Sequence, residues 1–382
     1  MKLSDCHNIA DFRKLAKARL PWPVFDYIDG AADDELTKGR NTSAFDDVDL
    51  VPDVLASVES IDTGCTIMGR RSNLPLMLSP TALQRAFHRD GERAVAKAAD
   101  KFGVWFGISS LATHSIEEIA ELTGAPKLFQ LYVHKDKGLN ASMIERCQAA
   151  KFDALALTVD TIVSGKRERC LRSGFTTPPR FSASSLWSYA TRPRWTLDYV
   201  FGPKFRLPQL DGYVSQGTGE AVSIQEYFNT MLDTGLDWDT AARIRQDWGG
   251  TFALKGVMSA ADARRAVEIG ADAIWISNHG GRQLDGSRAP FDQLEEIVDT
   301  VGGEIEIILD GGVRRGTHVL KSLAMGATAA SGGRLYLYAL AAAGQEGVKR
   351  ALQILKEEIE RGMRLMGVTS VEQLNRDRLR FR

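Results

Sequence analysis

Residues 252–281 read FALKGVMSAADARRAVEIGADAIWISNHGG. Phe252–Val257 is a short apolar run carrying one lysine, Lys255. After a polar break, apolar residues recur at helical spacing over Ala260–Ile269. A second apolar run, Ala273–His279, ends in a histidine followed by two glycines. Apolar runs without polar alternation suit strands buried on both faces, as in a parallel sheet. Strand, helix and strand in this order make one crossover unit.

Outward from this stretch the unit recurs, beginning at Leu74. The other strands are expected at Leu74–Ser79, Val104–Ser109, Leu128–Val133, Ala154–Asp160, Ile305–Asp310 and Ala327–Gly332. Helical spacing falls at Gly91–Phe102, Ser115–Thr123, Ala141–Ala150, Phe291–Val301 and Thr317–Ala324, with a long helix at Val348–Met366. Eight strands with intervening helices predict an α/β fold, a (β/α)8 TIM barrel. The alternative is an open doubly wound sheet, but no G-x-G-x-x-G follows the first strand. One domain spanning 1–382 is expected. It comprises an N-terminal helical segment (1–73, with helix Ile9–Arg19), a barrel (74–345) and a C-terminal helix and tail (346–382). A long insertion follows strand four at about 173–249, and its Asp237–Trp248 stretch reads as helix.

Composition narrows the class. The chain has 382 residues, 44% of them hydrophobic, enough for a large core. A formal net charge of −1 argues against nucleic acid, which selects clustered positive charge. Cys6, Cys65, Cys147 and Cys170 form no C-x-x-C pair, so reduced thiols are expected, with no disulfide framework and no metal site. The N-terminus carries no apolar signal core, and the run from Leu335 to Gly344 is too short to span a bilayer. The expectation is a soluble, cytoplasmic chain, attached at most to a membrane surface.

Polar side chains gather where the strands end. Ser79, Ser109, Gln130, Tyr132, Thr158, Asp160, Lys255, Ser277, His279 and Asp310 all fall at or just past strand C-termini, the rim where barrel active sites are built. The densest signal is Ser277-Asn278-His279-Gly280-Gly281-Arg282-Gln283-Leu284-Asp285. Histidine can take a proton near neutral pH, and arginine can grip a carboxylate with two parallel hydrogen bonds. A base beside a carboxylate clamp is what chemistry at the α-carbon of an acid needs. Asp310-Gly311-Gly312-Val313-Arg314-Arg315-Gly316 and Gly332-Gly333-Arg334 combine glycine and arginine after strands seven and eight, the pattern of a phosphate cradle. The basic loop Gly165-Lys166-Arg167-Glu168-Arg169 makes Arg167 a candidate second clamp.

These strings, with Leu20-Pro21, Asp26-Tyr27, Gly30-Ala31, Ser79-Pro80-Thr81-Ala82 and Phe129-Gln130-Leu131-Tyr132, resemble the FMN-dependent L-2-hydroxy acid oxidase and dehydrogenase family, which includes glycolate oxidase, flavin L-lactate dehydrogenase and mandelate dehydrogenase. The resemblance runs from about Phe12 to Gly367. It implies that His279 is the base, oriented by Asp160, and that Tyr27, Tyr132, Arg167 and Arg282 bind substrate. It implies that Pro80, Thr81, Ala82, Ser109, Gln130, Thr158, Lys255 and Ser277 line the flavin of FMN. Asp310, Gly311, Gly312, Val313, Arg314, Gly333 and Arg334 would hold its phosphate end. Leu111 stands where glycolate oxidases carry tryptophan, which implies a substrate larger than glycolate, L-lactate first. Strand eight, Ala329-Ala330-Ser331-Gly332, is smaller and more polar than the family's usual aliphatic run.

The implied reaction oxidises a small L-2-hydroxy acid to the 2-keto acid. A quinone or cytochrome-type respiratory carrier is the expected acceptor; oxygen, giving peroxide, is the alternative. A mandelate-type dehydrogenase and, from another class, a flavin-barrel isomerase are the other readings. A homo-oligomer is implied by the resemblance. Between Phe175 and Leu210, Arg180, Arg192, Arg194, Lys204 and Arg206 alternate with Trp187, Tyr189, Trp195, Tyr199, Phe201 and Phe205. Such a segment suits the cytoplasmic face of an inner membrane.

Overall fold

The eight apolar runs pair edge to edge and close on themselves. The computed structural model describes residues 1–175, 183–203, 205–211 and 229–382. Its barrel strands are β1 (Leu76–Thr81), β2 (Phe106–Ser109), β3 (Lys127–Leu131), β4 (Ala154–Thr158), β5 (Thr251–Val257), β6 (Ala273–Ser277), β7 (Glu306–Asp310) and β8 (Ala329–Gly332). Each is parallel to the next, and β8 pairs with β1 to close the ring. Every residue of β2, β4, β6 and β8 is buried, the reason their sequences lack alternation.

Observed strand ends differ from the expected ones by at most two residues. The difference matters for three side chains. Tyr132, Asp160 and His279 lie just beyond β3, β4 and β6, on loops that can aim them across the barrel mouth. The small residues of β8 are also accounted for. Ser331 Oγ bonds Ser79 Oγ at 2.6 Å, and a Cβ on Gly332 would fall 2.3 Å from Leu335 Cδ2.

Local capping starts several of the helices. Ser115, Asp136 and Ser259 each accept a bond from the backbone N–H three residues on, which stabilises a helix start by about 1 kcal/mol. The last helix corrects the expectation of a start at Val348. It runs from Arg334 to Leu365, with non-helical backbone at Ala343 and Gly344. The C-terminal Leu379–Phe381 pairs antiparallel with Val48–Leu50, a contact that no local pattern announces. After β4 comes helix Glu168–Ser173, and within the insertion the described helices are Ala183–Ala190, Pro193–Phe201 and Trp238–Trp248. Arg180 and Lys204 lie outside the described residues. Among the described residues, no helix is long and apolar enough to cross a membrane.

The N-terminal segment is fastened through Asp29, whose side chain is fully buried. Arg13 Nε and Nη2 donate to it at 2.5 and 2.8 Å, Arg169 Nη1 at 2.9 Å and the Tyr338 hydroxyl at 2.7 Å. One carboxylate thus joins the first helix, the insertion and the last helix. Burial alone would raise its pKa, but the Arg13 bonds, the Lys38 charge and the Tyr338 and Arg169 bonds hold it well below the usual carboxylate range. A depressed folded-state pKa contributes stability that is present above the unfolded value and lost as pH falls. Asp29→Ala is predicted to lower unfolding free energy by about 3 kcal/mol at pH 7. In denaturant titrations that deficit should shrink once pH drops below about 4. A pH-independent difference would contradict the ion cluster as its source.

Candidate active site

At the C-terminal ends of the strands a cleft opens. Its floor is a buried ion pair. Lys255 Nζ on β5 donates to Asp310 Oδ2 on β7 at 2.8 Å and to Ser277 Oγ on β6 at 2.8 Å. Ser277 Oγ donates to Asp310 Oδ2 at 2.8 Å, and Ser79 Oγ to Oδ1 at 2.7 Å. Burial would raise the Asp310 carboxyl, but the Lys255 charge and these bonds hold it below its ordinary value. A positive charge is therefore fixed beneath the cleft.

His279 stands on the rim in left-handed backbone, φ 58°, followed by Gly280 and Gly281, also at positive φ. That turn reverses the chain directly after β6. His279 Nδ1 lies 3.0 Å from Asp160 Oδ1 and 3.2 Å from Thr161 Oγ1, while Nε2 lies 3.3 Å from the Tyr132 hydroxyl. Asp160 approaches because β5 carries Gly256: a Cβ there, at φ 113°, would sit 2.6 Å from Asp160 Cβ. Burial pushes the imidazole pKa down, and the Asp160 charge recovers only part of that shift. Burial would raise Asp160, but the charge and bond of His279 outweigh it and its pKa is lowered. A neutral ring with one nitrogen held by a carboxylate is the result.

Arginines crowd the opposite walls. Arg282 Nη1 donates to the carbonyl oxygens of Tyr27 at 2.6 Å and Gly30 at 3.0 Å, and its Cζ lies 4.9 Å from the Tyr27 ring centroid. Arg334 donates to the carbonyl oxygens of Ile28, Gly280 and Gly30 at 2.9, 2.7 and 2.6 Å. These bonds use three of its five N–H donors. Burial lowers Arg334 to about 10 and also lowers Arg167 and Arg314. Gly311 and Gly312 face the cleft beside Arg314. Gly312 must be glycine, because at φ 74° a Cβ would fall 1.8 Å from the Asn41 carbonyl oxygen.

The structure brings most of the expected residues to one cleft. Tyr27, Pro80, Thr81, Ala82, Ser109, Tyr132, Arg167, Lys255, His279, Arg282, Asp310, Gly311, Gly312, Arg314, Gly333 and Arg334 line it. Leu111, Gln130, Thr158, Asp160, Ser277 and Val313 do not line the open cleft. Leu111 is buried, its N–H donating to Ser109 Oγ at 3.2 Å. Sequence reasoning missed Ile28, Phe87, Leu337 and the Thr161 contact. Only Thr161 left a signal, as the residue after Asp160. Asp285, quoted with the histidine loop, turns out to be a cap: it accepts from the N–H groups of Leu36 and Thr37 at the start of helix Leu36–Ser43.

A profile described as FMN-dependent dehydrogenase matches residues 16–381. The chain belongs to that family. It is 37% identical to a putative L-lactate dehydrogenase of Mycobacterium tuberculosis, across 98% of this chain and 89% of the relative. It is 38% identical to the L-lactate oxidase of a Nostoc species, across 98% of both. The crystal structure of the monotopic membrane protein (S)-mandelate dehydrogenase superposes with TM-score 0.93 at 34% identity, covering 99% of this chain and 100% of that one. The family is one of flavin oxidoreductases, and its cofactor is FMN.

The residues fit that cofactor. Gln130 Nε2 and Thr158 Oγ1 are buried and lack a hydrogen-bond partner among the described residues. Such atoms suit the polar edge of a flavin ring, since buried polar groups otherwise go unsatisfied at a cost. The charges fit as well. Arg167, Arg282, Arg314, Arg334 and Lys255 line the cleft, and Asp310 is the one lining carboxylate among the described residues. Such an excess of cations suits an anionic phosphate and an acid substrate. Heat-released flavin is predicted to be FMN, and Arg314→Ala should weaken its retention about 10- to 100-fold in dilution and ultrafiltration. Recovery of FAD, or wild-type retention by the variant, would contradict the phosphate cradle.

Proposed function

We propose that this protein oxidises a small L-2-hydroxy acid, L-lactate foremost, to the 2-keto acid, with His279 as the base. The observation that carries this reading is the His279 contact set, Nδ1 on Asp160 and Nε2 facing the cleft beside Tyr132. FMN, when bound, supplies the acceptor for the two electrons of the oxidation. Gln130, Thr158, Ser109 and the loop Pro80–Ala82 hold its ring, and Gly311, Gly312, Arg314, Gly333 and Arg334 hold its phosphate end.

Arg167 and Arg282 clamp the substrate carboxylate, and Tyr27 and Tyr132 orient the acid. His279 accepts a proton, either from the hydroxyl or from the α-carbon. Both routes need the neutral imidazole, which burial favours at neutral pH. Asp160 holds the Nδ1 hydrogen and stabilises the cation that forms. Lys255 would supply a fixed positive charge to a bound flavin, an electrostatic aid to its uptake of electrons. Because the folded His279 pKa lies below its ordinary value, activity should persist into mildly acidic pH and fall as the ring protonates.

Anaerobic stopped-flow reduction tests the assignment. His279→Gln should keep its flavin but reduce it about 10²- to 10⁴-fold more slowly. L-Lactate should exceed glycolate in kcat/KM, consistent with leucine rather than tryptophan at Leu111. (S)-Mandelate belongs in the same series, since the mandelate dehydrogenase likeness favours a larger side chain. Wild-type reduction rates in the variant would remove His279 as base, and a preference for glycolate would remove the lactate reading.

Electrons then pass to a quinone or similar respiratory carrier at a membrane face. On helices Ala183–Ala190 and Pro193–Phe201, Trp187 and Phe201 are 75% and 80% exposed, with Leu186, Leu197 and Val200 also exposed. Not every aromatic of this segment turns outward. Tyr189 is buried, and Trp195 donates to the Ala86 carbonyl oxygen at 2.9 Å. Trp187→Ser/Phe201→Ser is predicted to abolish sedimentation with anionic vesicles, and a quinone analogue should outpace oxygen as acceptor. Wild-type protein that ignores vesicles and makes peroxide rapidly would instead be a soluble oxidase.

A further inference from the structure

A second cavity adjoins the active-site cleft. It lies between the end of helix Ile9–Arg19, the turn after β1, the insertion helix Pro193–Phe201 and the Ala341–Ala343 stretch of the last helix. Phe87 is common to both: its ring lines the cleft and this cavity, and it stacks on Tyr27 with centroids 6.1 Å apart.

The charged lining is one-sided. Arg19, Arg85, Arg89, Arg192 and Arg194 face it, against a single carboxylate among the described residues, Asp198. Asp198 is already engaged by Arg89 at 3.4 Å. Arg19, Arg192 and Arg194 make no ion pair among the described residues. Arg192 Nε is buried without a hydrogen-bond partner among those residues. Burial and the charge of Arg194 depress the Arg19 guanidinium, the sign of cations packed without an anion between them. The cavity wall is aromatic, with Trp195 stacked on Tyr199 at 5.0 Å and Phe205 nearby.

We infer that this cavity binds the phosphate headgroup of an acidic phospholipid. Guanidinium groups grip phosphate oxygens in pairs, and a phosphate supplies the negative charge that the pocket lacks. A neutral quinone ring would leave that charge uncompensated. A soluble phosphate ester satisfies the arginines equally, but leaves unused the exposed apolar residues of the same helix. Leu197, Val200 and Phe201 are exposed on another face of the helix that carries Trp195 and Asp198, so one helix presents both an apolar surface for acyl chains and a wall of the cationic cavity. The inference rests on the membrane-attachment reading and adds to it a defined lipid site. Through Phe87, that site lies one aromatic ring away from the substrate cleft.

Sedimentation of the FMN-loaded protein with vesicles decides the matter. Phosphatidylglycerol–phosphatidylcholine vesicles are compared with pure phosphatidylcholine at one ionic strength. Wild type should prefer the anionic vesicles. Arg19→Gln/Arg192→Gln should bind them about 30-fold more weakly, the product of two basic residues at a lipid surface. Arg19→Lys/Arg192→Lys should restore much of the loss. Arg206→Gln, removing an exposed arginine outside the cavity, should cost less than about threefold. Flavin content and melting temperature report that each variant is folded. An unchanged preference in the double glutamine variant, or an equal loss in Arg206→Gln, overturns the pocket. If Trp187→Ser/Phe201→Ser abolishes vesicle binding while Arg19→Gln/Arg192→Gln does not, attachment stands and this inference falls. If wild type ignores both vesicles, yet inorganic phosphate quenches its tryptophan fluorescence saturably and not that of the double glutamine variant, the site serves a soluble phosphate ester and the lipid assignment is overturned.

Discussion

Lys255 and Asp310 meet at 2.8 Å inside the barrel mouth, and the geometry of the site follows from that pair. A buried ion pair is tolerated only when both members are hydrogen-bonded, because each isolated charge costs several kcal/mol to desolvate. Here the satisfaction comes from Ser277, Ser79 and, through Ser79, Ser331. Five consecutive strands, β5 to β8 and β1, are tied by this one network. The polar residues that interrupt otherwise apolar strands are thus mutually dependent, and together they fix a cation under the cleft.

Around that floor, the walls are assembled from distant parts of the chain. The carbonyl oxygens of Tyr27, Ile28 and Gly30 accept from Arg282 and Arg334, so the N-terminal segment orients two arginines of the barrel loops. Asn41 and Asn278 exchange side-chain amide bonds at 2.8 and 2.7 Å, fastening the histidine loop to the same segment. Asp29 anchors the segment in turn. The N-terminal helices therefore act as a wall of the site as well as a cover for the barrel.

Electrostatics gives both cavities a common character. Each gathers arginines in excess of carboxylates, and each depresses at least one guanidinium by burial. Such arrangements are costly without an anion and favourable with one. The aromatic pair Tyr27 and Phe87 separates them, so anion sites of different use lie back to back on one barrel rim.

The sequence by itself determined the barrel, because strands buried on both faces must be continuously apolar and the helices between them must not be. It also determined the chemistry of the rim. His279, Lys255, Asp310 and the glycine–arginine strings are local patterns, readable because residue type sets acid–base and phosphate-binding capacity. Tertiary structure alone decided which of these groups meet. The Asp160–His279 contact joins residues 119 positions apart, and the Thr161 hydroxyl that shares it carries no distinguishing local pattern. The early start of the last helix escaped notice because its first turns are buried all round and show no amphipathic stripe. The cationic cavity was equally invisible, since Arg19, Arg85 and Arg192 come from three separated stretches. Propensity and periodicity act over a few residues; the convergence of charges across a fold is fixed only when the core packs and brings those stretches together.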